Sequence, residues 1–128
     1  MLNQILNLGQ TGNDGNGDTL RSAGAKMNAN FAQIFSTYAV TNTITNNAAT
    51  NEDGIFIADT TSNPITIVLP TAVGNHGKMF MVKKIAAGNT VTIDANASET
   101  IDGAATKVLS AQWESVTIIS NGANWFII

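Results

Sequence analysis

One histidine, nine acidic residues and no cysteine are the main groups this chain offers to catalysis or metal binding. Nucleophilic catalysis needs a serine, threonine or cysteine beside a base. The only histidine, His76, sits in Gly74-Asn75-His76-Gly77, a run that reads as an exposed turn. A glycosidase needs two carboxylates facing each other across a cleft. Asp94, Glu99 and Asp102 are close in sequence, but each falls at or near a turn, where solvated acids are expected. Gly15-Asn16-Gly17 lacks the third glycine and the preceding strand of a dinucleotide fingerprint, and Gly74 to Lys78 lacks the spacing of a phosphate loop. Asp14-Gly15-Asn16-Gly17-Asp18 alternates oxygen donors, but without the glycine and distal acid of a calcium loop it reads as a flexible loop. The expectation is a non-enzymatic chain with no cofactor and no metal.

Aromatic residues offer a different chemistry. Trp113, Trp125 and Tyr38 could stack on a sugar face, although an aromatic on an alternating strand more often belongs to a core or an interface. Trp113 and Trp125 are the glycan contacts of a rival reading, a host-receptor recognition module. Charge excludes other partners. The net charge is −3 and Lys plus Arg number six, too few for the clustered cations that phosphate backbones require. Nucleic acid is not expected. The start lacks a basic, apolar leader and no stretch is long enough to span a bilayer, so neither export nor membrane insertion is expected. Lys83-Lys84 reads equally as a surface pair or as the lining of a subunit axis.

These residues must be positioned by a short chain of 128 residues, room for one small domain and an arm. Charged residues are 12%, against about 25% in an average protein. Asn and Thr replace them, as in Thr41-Asn42-Thr43-Ile44-Thr45-Asn46-Asn47, a composition suited to turns and pleated surfaces. After the Gly/Asn/Asp loop, Asp18 or Thr19 is a natural N-cap for a helix over about 19–38. Leu20, Ala23, Met27, Phe31, Ile34 and Tyr38 recur at steps of three and four along one stripe of it. Gly24, Asn28 and Asn30 weaken that helix, so it must be held by packing. Residues 41–53 read as a linker, with a short strand around Val40 to Thr45.

From residue 54 the period becomes two. Strands are predicted at Ile55–Asp59, Ile65–Leu69, Lys78–Ala86, Thr90–Asp94, Thr106–Ser110, Trp113–Ser120 and Asn124–Ile128, each bounded by Gly, Pro, Asn or Asp. Short strands at this spacing predict a mainly β domain, a small sandwich or barrel-like fold preceded by an N-terminal loop and one helix. Met79-Phe80-Met81-Val82, Val116-Thr117-Ile118-Ile119 and Trp125-Phe126-Ile127-Ile128 are apolar on both faces. A small domain has only one inside, so the second faces, with Met81, Ile119, Phe126 and Ile128, are expected at an oligomer interface.

Both halves resemble known proteins. Leu6-Asn7-Leu8-Gly9, Gly17-Asp18-Thr19-Leu20-Arg21 and Lys26-Met27-Asn28-Ala29-Asn30-Phe31-Ala32-Gln33-Ile34-Phe35 resemble a loop and helix that recur in structural proteins of tailed bacteriophages, including tail-fibre and baseplate chains. The Ile-Thr-Ile-Val-Leu-Pro run ending at Pro70, Asn89-Thr90-Val91-Thr92-Ile93, Glu99-Thr100-Ile101-Asp102-Gly103 and the last eight residues are similar to small β domains of phage appendages. The resemblance implies a homotrimer assembled in the host cytoplasm and carried on the virion. In that reading residues 1–40 form an attachment arm that docks on capsid or tail proteins through Leu2, Ile5, Leu6, Leu8, Leu20, Met27, Phe31 and Ile34. Residues 54–128 form a β knob, which either decorates the shell or meets a host-surface glycan. No internal repeat is visible, which favours a short fibre, knob or capsid decoration over a long shaft.

Overall fold

A computed structural model describes residues 5–7, 15–35, 39–50 and 53–128. Two compact units divide the chain, Met1–Thr37 and Tyr38–Ile128. The first carries helix α1, Leu20–Phe35. Its N-terminus is closed by Thr19, whose Oγ accepts the Ser22 N–H at 3.2 Å while its carbonyl accepts the Ala23 N–H. Thr19 is therefore the N-cap, offering an oxygen to a backbone donor that the first turn leaves unpaired. The predicted last turn, 36–38, lies outside the described residues.

The second unit is mainly β and contains nine described strands in two sheets. These are β1 (Val40–Thr43), β2 (Asn47–Ala48), β3 (Ile55–Ala58), β4 (Ile65–Val68), β5 (Met79–Lys84), β6 (Val91–Asp94), β7 (Thr106–Leu109), β8 (Ser115–Ser120) and β9 (Trp125–Ile127). The chain crosses from one sheet to the other at every step from β1 to β6. Odd strands build β1-β3-β5 and even strands build β2-β4-β6, all in parallel pairs. The chain then reverses. β7 pairs antiparallel with β6, β8 with β5, and β9 with β8, giving a five-stranded and a four-stranded sheet. The sheets do not close into a barrel. The stretch 41–53, which reads as a linker, contributes β1 and β2, an edge strand to each sheet.

Alternation decides what lies inside. Phe56 and Ala58 of β3, Ile65 and Ile67 of β4, Phe80 and Val82 of β5, and Val91 and Ile93 of β6 share one buried cluster with Leu109, Val116, Ile118 and Trp125. Three aromatic rings run through it, Phe56 to Phe80 at 6.4 Å and Phe80 to Trp125 at 5.5 Å between centroids, both tilted. Such pairs add to the burial term, itself about 1.5–3 kcal/mol for a large apolar side chain. Lys84 also points inward and is fully buried, its ammonium donating to the Ala86 carbonyl.

One carboxylate ties three distant segments to this core. Glu99 accepts the Thr71 hydroxyl at 2.6 Å, the buried Ala72 N–H through both oxygens at 2.9 and 2.8 Å, and the Trp125 indole N–H at 3.3 Å. Removing it leaves a buried backbone donor and an indole donor without their acceptor. Glu99→Ala is expected to destabilise the β unit by about 2–3 kcal/mol, and Glu99→Gln by less, as read from urea unfolding followed by tryptophan fluorescence.

Candidate functional site

Two of the three acids considered for catalysis, Glu99 and Asp102, hold the fold through hydrogen bonds. Glu99 is held as described, and Asp102, at φ +48°, accepts the Ile127 N–H at 3.1 Å. Asp94 is paired through its backbone with Thr106 and Val68, at the end of β6. His76 packs against Gly122, where an added Cβ would come within 3.6 Å of the ring and where φ is +89°. The distance is ordinary van der Waals contact, so it is the left-handed φ that favours glycine at 122. Among the described residues no group of three metal-ligating side chains converges.

Asp18 organises the first unit. Its carboxylate accepts the Lys26 ammonium through both oxygens at 2.9 and 2.8 Å, the Asn7 N–H at 2.9 Å and the Ser22 hydroxyl at 3.4 Å. The Asp18 N–H returns a bond to the Asn7 carbonyl at 2.8 Å, and the Asn7 amide donates to the Asn16 carbonyl at 2.6 Å. Lys26 also donates to the Ile5 carbonyl at 3.0 Å. The clasp ties Ile5, Asn7 and Asn16 to the first two turns of α1. Ser22 and Lys26 consequently lie on the sheltered side of the helix. Leu20, Met27, Phe31 and Ile34 lie on the exposed side, with Leu20 92% exposed. Ile5 is exposed and Leu6 half-buried, whereas Leu2, Leu8, Asp14 and Tyr38 lie outside the described residues.

The second surface is the outer face of the five-stranded sheet. Its strand registers set Val40 beside Ile55, Ile55 beside Met81, and Met81 beside Thr117. The neighbouring row sets Met79 beside Ile119 and Ile119 beside Phe126. The Ile128 N–H bonds the Thr117 carbonyl, which adds Ile128 to the first row. Met81, Ile119, Phe126 and Ile128, singled out as second-face residues, are thus brought together with Val40, Ile55 and Met79. Polar residues border them, with Asn42 beside Ile57, Ile57 beside Lys83, and Lys83 beside Ser115. Val40, Met79, Met81, Phe126 and Ile128 are all exposed. Solvated monomers seldom show a contiguous apolar patch of this kind.

The two tryptophans separate. Trp125 is fully buried against Phe80, and its indole N–H is taken by Glu99. This withdraws Trp125 as a glycan contact, because a sugar cannot reach a ring enclosed by both sheets. Trp113 is 60% exposed in the β7–β8 loop at φ +68°. Its N–H bonds the Lys84 carbonyl at 2.9 Å, and its carbonyl accepts the Lys83 ammonium. Next to it, Glu114 accepts the Ser110 and Ala111 N–H groups, which hold its carboxyl below the usual glutamate range.

Sequence reasoning passed over a hollow of about 270 Å³ lined by Ile44, Thr45, Asp59, Thr61, Ser62 and Asn63. Its signal was the Asp-Thr-Thr-Ser-Asn run after β3, in which an aspartate can bond its own backbone two residues on.

Comparison with known proteins finds similarity to phage structural proteins. The family of bacteriophage T4 gp9/10-like proteins, N-terminal region, matches residues 3–63. The chain is 29% identical over 124 residues to "Baseplate wedge protein gp10" of Enterobacteria phage T4. The chain is related to tailed-phage virion structural proteins. The alignment takes in 84% of this chain and 21% of that relative, so the chain spans about a fifth of the relative's length. The family match covers the clasp, the helix and β1 to β3, and supports the resemblance read from the Gly-Asp-Thr-Leu-Arg and Asn-x-Asn-Phe elements.

The clasp predicts a pH response. Hydrogen bonding from Lys26, then from the Asn7 backbone, lowers the Asp18 carboxyl below its ordinary value of 3.8. Its contribution is fully present above that value and is lost as pH falls through the depressed folded pKa. The Asn7 amide resonance should therefore titrate below pH 3.8, and in Asp18→Asn that titration should vanish.

Proposed function

We propose that this chain is a non-enzymatic structural component of a tailed-phage baseplate or tail fibre, assembled as a homotrimer and anchored by its loop–helix unit. The observation that carries this is the apolar outer face of the five-stranded sheet. Five exposed hydrophobic side chains in adjacent rows, bordered by Asn42, Lys83 and Ser115, have the anatomy of an interface core within a polar rim. The trimer count comes from the resemblance to phage appendage domains; the sheet face supplies the need for a partner, not its number.

The helix supplies the second contact. Leu20, Met27, Phe31 and Ile34 form an exposed stripe whose clasp presets the loop carrying Ile5 and Leu6. Helix-in-groove docking uses anchors at such spacing. In this reading the loop–helix unit joins a virion partner of the capsid or tail during assembly in the host cytoplasm, and the β unit stands as a short fibre, knob or decoration. Two of the three acids considered for catalysis, Glu99 and Asp102, are engaged in backbone and indole hydrogen bonds, which supports the structural reading.

A glycan-recognition role is the second reading. It draws on Trp113, an exposed indole held at positive φ. Backbone strain of this kind costs about 1–3 kcal/mol and clusters at binding sites.

Light scattering after size-exclusion chromatography tests the assembly. The wild type should run near three times its 13.4 kDa mass. Met81→Glu with Ile119→Glu should give a folded species at the monomer mass, because a carboxylate at an interface core costs several kcal/mol. A wild-type monomer at all concentrations would defeat the trimer reading. Removing residues 1–37 should leave a folded β unit that no longer joins particles, measured by incorporation into virions; normal incorporation would refute anchoring by this unit.

A further inference from the structure

We propose that the hollow at the corner of the β unit binds a saccharide residue, with Asp59 and Asn63 taking its hydroxyl groups and Ile44 its carbon face. The site lies where two successive turns of the parallel coil stack. Ile44 and Thr45 follow β1, and Asp59 to Asn63 follow β3, whose end is joined to β1 by the Asp59 N–H to Thr43 carbonyl bond at 3.0 Å. The hollow is a product of the coil's geometry rather than of a loose loop.

Its frame is rigid from behind. Thr60 is fully buried and donates to the Gly88 carbonyl at 2.5 Å, while the Asn89 amide donates to the Thr60 carbonyl at 2.9 Å. The third turn of the coil thereby grips the second. On the other wall, the Thr43 hydroxyl donates to the Thr45 carbonyl at 2.6 Å. Asp59 Oδ1 accepts the Thr61 N–H at 3.0 Å and the Thr61 hydroxyl at 2.6 Å. These bonds hold the Asp59 carboxyl below the usual aspartate range, so it is ionised at neutral pH. A ligand entering such a frame meets groups already placed, which reduces the ordering cost of binding.

The lining selects the ligand. Asp59 Oδ2 and the side chains of Ser62, Asn63 and Thr45 make no hydrogen bond among the described residues. A carboxylate is a strong acceptor for hydroxyl donors, an asparagine amide both donates and accepts, and hydroxyls do either. Ile44, 68% exposed, adds an apolar wall beside them. A sugar ring presents the matching surface, with hydroxyls around an edge and C–H groups on a face. An anion is disfavoured, because the lining contains Asp59 and no cationic side chain. A bare calcium ion asks for six to eight oxygen ligands, commonly with several carboxylates, and only one is present. A flat aromatic ligand finds no ring to stack on.

The test uses the full-length, ¹⁵N-labelled chain titrated separately with D-glucose, D-galactose and D-mannose. At least one hexose should shift the backbone amides of residues 44–45 and 59–63 together. Asp59→Asn and Asn63→Ala should each weaken that binding by about tenfold or more, while Trp113→Ala leaves it unchanged. Shifts from none of the three hexoses, shifts centred on Trp113, or wild-type binding by the folded variants would overturn the proposal. If Asp59→Asn does not fold, Asn63→Ala and Ile44→Ala decide the outcome, since neither side chain makes a hydrogen bond here. The interface variant Met81→Glu with Ile119→Glu should still bind the sugar, which separates this site from the assembly reading.

Discussion

Parallel pairing between strands two apart in sequence is the constraint on which the β unit depends. β1 cannot satisfy its ladder from β2, because β2 belongs to the other sheet; it must wait for β3, and β3 for β5. Each crossing therefore has to return the chain one strand further along, in register. Once that holds, side-chain rows follow automatically. Inward positions from both sheets fall into one cluster around Phe56, Phe80 and Trp125, and outward positions of the five-stranded sheet line up as an apolar field. The same winding stacks the corners, which is why Thr60 meets Gly88 and Asn89 across nearly thirty residues of chain.

The reversal after β6 changes the chemistry of the sheets. β7, β8 and β9 add antiparallel partners, and the connections between them are fastened by side chains rather than by further coil. Glu99 fixes Thr71, Ala72 and Trp125; Asn124 accepts the Thr100 N–H at 2.8 Å; Asp102 accepts the Ile127 N–H. Acids at turns, which a search for catalysis examines first, act here as fasteners for backbone donors. Asp18 does the same in the loop–helix unit with Lys26 as counter-ion.

Much of this was legible in the residues. Period-two alternation located all seven strands from Ile55 onward, because each combines β-branched or aromatic residues with flanking turn chemistry. The doubled apolar faces of β5, β8 and β9 identified Met81, Ile119, Phe126 and Ile128, which share a surface because the ladders align them. Parallel winding was not legible, since alternation says nothing of which strand is the neighbour. Nor was β2, two residues long, within an Asn- and Ala-rich stretch that carries no strong propensity. Trp125 and Trp113 looked alike in type; only the positive φ of the second and the depth of the first distinguish them. The hollow beside Asp59 escaped notice because its two walls are separated by about fourteen residues and meet only through the coil.

The position of Trp125 has a kinetic corollary. The largest fully buried side chain of the β unit sits on β9, and its immediate partners, Phe80 and Glu99, come from earlier, non-adjacent segments. A core whose centrepiece is supplied by β9 cannot close while synthesis has passed only β6. High sequence separation between contacts slows folding, since loop entropy is spent before the contacts repay it. The nascent β unit therefore stays open, its two-faced strands unshielded, until synthesis has reached β9.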